Sequence, residues 1–185
     1  HSYYCSDFKF RKGMVSDKNT PVYTLHMADG MWLNKSFKNS ILQRIAKCEL
    51  DGKRYVYSDL GFVLLQQVVE KVTELPMDLY LAREFYAPMG LQRTMFLPLT
   101  KFTKAEIMPT ASNDFLRRQD ICGYVHDETA ACMGGVSGNA GLFSTAEEVA
   151  KVYQMLLNGG EFNGKRFLSE ATCRLFTTEK SAISR

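Results

Sequence analysis

The sequence predicts an α+β fold in which helices dominate and strands are short. Two observations carry this. Apolar residues recur at helical spacing in successive stretches from residue 33 onward, and glycine, proline and asparagine pairs punctuate the intervals between them. By contrast, residues 1–30 and 98–124 hold no sustained period. At 185 residues, 45% hydrophobic and 23% charged, the chain has the composition of an ordinary globular domain long enough to bury a core.

Taken in order, the stretch up to about residue 30 is aromatic and polar, with Gly13, Pro21 and Gly30, and reads as loop with short extended pieces. Between Leu33 and Lys47, Phe37, Ile41, Leu42, Ile45 and Ala46 recur at helical spacing, and Asp51-Gly52 follows as a tight turn. Leu60 to Thr73 is the clearest helix. Its stripe of Phe62, Leu65, Val68, Val69 and Val72, widened by Leu64, is expected to be buried, with Ser58 or Asp59 capping the first turn. A second helix begins near Pro76, whose fixed φ suits a first helical position. Leu79, Leu81, Phe85 and Tyr86 give it an apolar side before Pro88 and Gly90 end it.

Residues 98–124 read as an extended, partly irregular excursion. The glycine-dense run from Gly134 to Gly141 matches neither a phosphate loop nor a dinucleotide fingerprint, so close backbone packing is its expected role. Thr145 and Glu148 spell a capping box for a helix over 146–158, whose stripe of Val149, Val152, Tyr153, Leu156 and Leu157 is also expected to be buried. Gly159-Gly160 stops that helix, Asn163-Gly164 marks a tight turn, and Ser169 caps a short last helix through Leu175 and Phe176.

The net charge of +3 is spread among interleaved acids and bases, which gives no basic cluster for nucleic acid. The most apolar run, Leu60 to Val69, is broken by Gln66-Gln67 and is too short to span a bilayer. The opening His-Ser-Tyr-Tyr has neither Met nor a signal-peptide pattern, so the chain is expected to be part of something longer. Its five cysteines are scattered without a C-x-x-C pair, and Cys122, His126 and Cys132 lack an evident fourth ligand. No disulfide framework, metal or cofactor is expected.

Chemistry concentrates at Tyr57-Ser58-Asp59, just before the Leu60 helix. A free phenol titrates near ~10, but a helix N-terminus and a lysine ammonium stabilise a tyrosinate, which then serves as a base. The bland reading of Tyr57 is a packed aromatic. His126-Asp127-Glu128 cannot converge on one atom, because consecutive side chains diverge. His126 reads either as a pocket-lining donor or as a histidine bonded within its loop, and Asp127 and Glu128 as surface or capping groups. Ser6-Asp7-Phe8-Lys9 spells Ser-x-x-Lys, but its polar surroundings lack an apolar helix and favour a surface loop. No Lys-Thr-Gly, Lys-Ser-Gly or His-Thr-Gly triplet occurs.

Several blocks resemble the serine beta-lactamase-like family, which takes in class C beta-lactamases, penicillin-binding proteins and related esterases. They are Tyr-Val-Tyr-Ser-Asp-Leu-Gly-Phe-Val-Leu-Leu at 55–65, Phe-Tyr-Ala-Pro-Met-Gly-Leu at 85–91 with Thr94-Met95-Phe96, Gly-Tyr-Val-His-Asp-Glu at 123–128, Gly-Gly-Val-Ser-Gly-Asn-Ala-Gly-Leu-Phe-Ser at 134–144, and Gln-Met-Leu-Leu-Asn-Gly-Gly at 154–160. Pro109-Thr110, Phe115-Leu116-Arg117 and Gln119 are also similar to the subgroup in which such a domain follows a family-3 glycoside hydrolase in Bacteroidetes proteins.

The resemblance implies a fold in which a helical lobe meets a helix-flanked antiparallel sheet, with the active site between them. This chain would be a partial domain, mostly the helical lobe, without the Ser-x-x-Lys element, the late Lys/His-Thr-Gly strand or the oxyanion-hole donors. Tyr57 takes the place of the catalytic tyrosine. Asp59 stands where the family has asparagine and Asn139 where it often has histidine; with His126 these are the implied binding or supporting residues. The implied parent is a periplasmic or secreted hydrolase of amides, lactams or esters, acting through an acyl-enzyme on a small-molecule or peptidoglycan-derived substrate and fused to a glycosidase domain. The chain alone would be inactive. The alternatives are a non-catalytic domain that keeps the fold for binding or support, and an unrelated helical interaction module.

Overall fold

The short extended pieces expected before residue 30 are, among the described residues, strands of one sheet. In the computed structural model, which describes residues 13–48 and 57–179, β1 (Val15–Ser16), β2 (Tyr23–Ala28) and β3 (Met31–Asn34) make an antiparallel sheet of order β1-β3-β2. Asp29-Gly30 turns β2 into β3, with Leu25 opposite Leu33 and His26 opposite Trp32. Ser6-Asp7-Phe8-Lys9, Cys5 and the Asp51-Gly52 turn lie outside the described residues.

The helices fall close to their predicted positions. Helix α1 (Ser36–Ala46) buries Phe37, Ile41 and Ile45, whereas Leu33 belongs to β3. Helix α2 spans Leu60–Thr73 as the spacing predicts, but its buried residues are Val63 and Gln66. The predicted stripe is not buried: Phe62, Leu64, Leu65, Val68 and Val72 are 44–77% exposed. Periodicity locates an apolar face but carries no information about which element covers it. Helix α3 (Met77–Leu81) runs into a wider turn over Ala82–Tyr86, where the Ala87 N–H reaches back five residues to the Ala82 carbonyl at 2.9 Å.

Residues 98–124 form the irregular excursion, with β4 (Pro109–Ala111) and β5 (Ile121–Cys122) as a short antiparallel ladder. Helix α4 (Glu128–Cys132) buries Thr129, Ala130, Ala131 and Cys132. Helix α5 (Ala146–Leu157) follows, then the hairpin of β6 (Glu161–Phe162) and β7 (Lys165–Arg166), and finally α6 (Glu170–Thr177). Asn163 and Gly164 both take positive φ, 49° and 76°, as a two-residue primed turn demands. The Ser169 hydroxyl caps α6 by accepting the Thr172 N–H at 3.0 Å.

The chain divides into two units, His1–Met77 with Phe96–Leu142, and Asp78–Met95 with Phe143–Arg185. The core of the first gathers Met27, Leu33, Phe37, Ile41, Ile45, Val63, Val125 and the α4 residues. The second centres on Met89, Leu91 and Met155, with Val152, Leu156, Phe162 and Phe167 against them. Val149, Tyr153 and Leu157 of the predicted α5 stripe face outward instead.

Glu148 explains part of that rotation. The Thr145 hydroxyl accepts the Glu148 N–H at 3.3 Å, but the Glu148 carboxylate does not return to Thr145. It is buried, and accepts the N–H groups of Gln92 at 2.8 Å and Arg93 at 3.0 Å and the Thr94 hydroxyl at 2.6 Å. These donors outweigh the effect of burial and hold its pKa below the ordinary 4.5. The capping signature marks the right helix start and leaves open where the acid goes.

The β2–β3 hairpin carries a polar aromatic stack. The His26 and Trp32 rings lie 3.8 Å apart and nearly parallel, and Tyr124 meets His26 edge-on at 4.8 Å. The Tyr124 hydroxyl donates to Asp29 at 3.0 Å and lies 3.1 Å from His26 Nε2. Lys104 completes the group as the ion-pair partner of Asp29. Burial lowers the His26 pKa below 6.5, against the opposing pull of Asp29. The folded state therefore binds this proton less tightly than the unfolded chain does, so stability falls as pH drops below 6.5 and levels off once the folded-state pKa is passed. Trp32 is the only tryptophan and stacks on that ring, so its emission should titrate with a midpoint below 6.5. His26→Gln should abolish the titration; its persistence would place the responding group elsewhere.

Candidate active site

Tyr57 is 47% exposed and directly precedes the turn into α2. The turn is closed by the Ser58 hydroxyl, which accepts the Leu60 N–H at 3.3 Å. Asp59 takes helical φ and ψ and makes no side-chain cap; its carbonyl accepts from Phe62 at 3.0 Å and Val63 at 3.2 Å. Of the two capping candidates, Ser58 is the one used. The fourteen-residue helix presents its positive end just after Tyr57.

A polar network in the same unit shapes the loop from 123 to 139. Arg117 and Asp114 form a bidentate pair, Nε to Oδ1 at 2.9 Å and Nη2 to Oδ2 at 2.7 Å, with side chains 0% and 2% exposed. Arg117 also donates to the carbonyls of Val125 at 2.7 Å and His126 at 2.5 Å, which pins the chain leading into Asp127. Burial raises the Asp114 pKa, but the Arg117 hydrogen bonds and charge prevail and hold it below 3.8.

Asp127 caps α4, accepting the Ala130 N–H at 2.7 Å, and also accepts from Asn139 Nδ2 at 3.1 Å. Asn139 Oδ1 in turn accepts the Ser137 hydroxyl at 2.6 Å. His126 is an exposed residue held through its carbonyl. The structure thus joins two of the predicted neighbourhoods directly, through Asp127 and Asn139. Tyr57 and Asp59 are tied to them through α2 and Gln66, which bonds to Val136 and Gly138. Gln66 appears in the sequence only as a polar break in an apolar run. Asp114 carries no local signal at all, and Arg117 stands out only within a family-like block.

Chemically, a half-exposed tyrosine precedes α2, and a loop of fixed carbonyls and amides packs on the first turns of that helix through Gly138 and Gln66. Among the described residues no group of three or more His, Cys, Asp or Glu side chains is placed to hold a metal ion. Among the described residues, Cys48, Cys122, Cys132 and Cys173 form no disulfide. No helix among the described residues is long and apolar enough to cross a membrane.

Comparison with known proteins defines the class. A family model described as Beta-lactamase matches residues 16–182. A Salmonella agona protein named "Putative D-alanyl-D-alanine carboxypeptidase" is 33% identical over 95% of this chain and 48% of its own length. A protein of the same name from Salmonella schwarzengrund is 36% identical over 76% of this chain and 36% of its own. The chain belongs to the serine beta-lactamase-like family, and it spans about half or less of the length of these relatives.

Solved structures agree at the level of fold. The octameric penicillin-binding protein homologue from Pyrococcus abyssi aligns with a TM-score of 0.53 and 17% identity over 83% of this chain and 33% of its own. The D-amino acid amidase of Ochrobactrum anthropi SV3 in complex with L-phenylalanine aligns at 0.52 and 15% identity, over 87% and 39%.

Proposed function

We propose that this chain is the tyrosine-bearing part of a serine hydrolase that cleaves an amide, lactam or ester through an acyl-enzyme, and that Tyr57 is its proton-handling group. The observation that carries the reading is Tyr57 itself, half-exposed at the start of α2 in a chain of this family. Its nucleophile and oxyanion donors come from parts of the domain beyond these 185 residues. The apolar face of α2, turned to solvent, supports this as the seat for those parts. Asp59, His126 and Asn139 line or support the site.

The names of the curated relatives direct the substrate reading toward D-alanyl-D-alanine peptides and related peptidoglycan fragments. With such a substrate the parent protein would act in the periplasm or outside the cell, and the resemblance to glycosidase-linked domains supports a fused glycoside hydrolase as part of this proposal.

Labelling tests the reading. The intact parent protein, incubated with a fluorophosphonate probe and with a chromogenic beta-lactam, should be modified on a serine outside these residues, while the 185-residue chain alone stays unlabelled. Stoichiometric labelling of Ser6 in the isolated chain would overturn the assignment of the nucleophile, and an unlabelled parent would leave a non-catalytic binding domain.

A further inference from the structure

Gln66 is 1% exposed, shares with Val63 the buried positions of α2, and has both ends of its amide engaged. Its Nε2 donates to Glu70 Oε1 at 3.0 Å and to the Val136 carbonyl at 3.3 Å; its Oε1 accepts the Gly138 N–H at 3.2 Å. The amide has one orientation that satisfies these partners, because a carboxylate and a carbonyl accept while a backbone N–H donates. Glu70 is itself fixed by accepting the Met77 N–H at 3.2 Å.

Gly138 reinforces the joint sterically. Its φ is not in the left-handed region, so conformational freedom is not the reason for glycine here. The reason is space: a Cβ at this position would lie 2.1 Å from the Phe62 carbonyl oxygen and 2.9 Å from its carbon. Those atoms are helix backbone and cannot swing aside. The next residue, Asn139, holds Asp127. One loop therefore touches the first turns of α2 through Gly138 and Gln66, and the Asp127 cap through Asn139.

We infer that Gln66 and Gly138 are positioning residues that set the start of α2, with Tyr57, against the Asp127–Asn139 loop. The inference rests on Tyr57 being the proton-handling group, but its first readout does not need activity. In the intact protein carrying 13Cζ-tyrosine, Gln66→Leu and Gly138→Ala should shift the Tyr57 resonance. The Trp32 emission, at the hairpin of the same unit, should stay unchanged and report an intact fold.

In acylation assays each variant should lose about 10–100-fold in rate, the scale of a misplacement near 1 Å, with little change in probe binding. The loss should vanish in a Tyr57→Phe background, where nothing is left to position. Gln66→Glu keeps an acceptor for Gly138 but turns the donor contacts to Glu70 and Val136 into repulsive ones, so it should lose at least as much as Gln66→Leu; if Gly138→Ala fails to fold, the two Gln66 variants carry the test. A Tyr57 resonance that stays put while the fold is intact overturns the inference, whatever the activity. A shifted resonance with acylation indifferent to Tyr57→Phe leaves the coupling standing and sinks the catalytic reading instead.

Discussion

Tyr57→Phe in the intact protein should lower the acylation rate by about 10²–10⁴-fold, the range a positioned acid–base group contributes. The substitution keeps the ring and removes the oxygen, so the loss reads the proton-handling role and little else. At a position 47% exposed, the folding stability should change by less than about 1 kcal/mol. The expected pattern is a large fall in rate with an unchanged denaturation midpoint. An unchanged rate with several kcal/mol of lost stability would make Tyr57 a structural aromatic.

The largest effect on stability is expected at Arg117. Arg117→Ala leaves the Asp114 carboxylate buried without its bidentate partner and strips a donor from two carbonyls. Breaking a buried pair on one side costs about 3–5 kcal/mol, measurable as a shift in the denaturant midpoint of the domain. Replacing both members with apolar side chains should recover part of the loss, because no orphaned charge then remains. The pH dependence has a definite sign. The Asp114 pKa is depressed in the fold, so its contribution is present above the unfolded value near 3.8 and is lost as pH falls through the folded value. Arg117→Ala should flatten that acid limb. A stability change below about 1 kcal/mol would mean that the pair is not what holds residues 125 and 126.

Much of the fold was legible because its signals are local. Ser169, Thr145, Gly159-Gly160 and Asn163-Gly164 act within a turn of themselves, and the structure uses each where the sequence places it. The β2–β3 hairpin escaped notice although Asp29-Gly30 is a strong turn signal. Register shifts between Tyr23 and Leu25, and again between His26 and Ala28, disturb the two-residue alternation that would have revealed it. The covered faces of α2 and α5 escaped for a different reason: which side of a helix is buried depends on partners distant in the chain. The same holds for the site. Tyr57-Ser58-Asp59 is a readable triplet, whereas Gln66 bonds across about seventy residues to Val136 and Gly138, and Glu148 across more than fifty to Gln92 and Arg93.

The outward apolar face of α2 also has a consequence at the bench and on the ribosome. Phe62, Leu65, Val68 and Val72 form a sticky strip on a helix that is otherwise well anchored, so this chain made by itself is a natural client for chaperones and a poor colloid at high concentration. If, as proposed, further parts of the domain seat on that strip, the interval before they cover it during synthesis is the period of greatest aggregation risk. Slower translation, lower temperature or co-expression of the rest of the domain should therefore raise the yield of dispersed protein more than any change to the Tyr57 region.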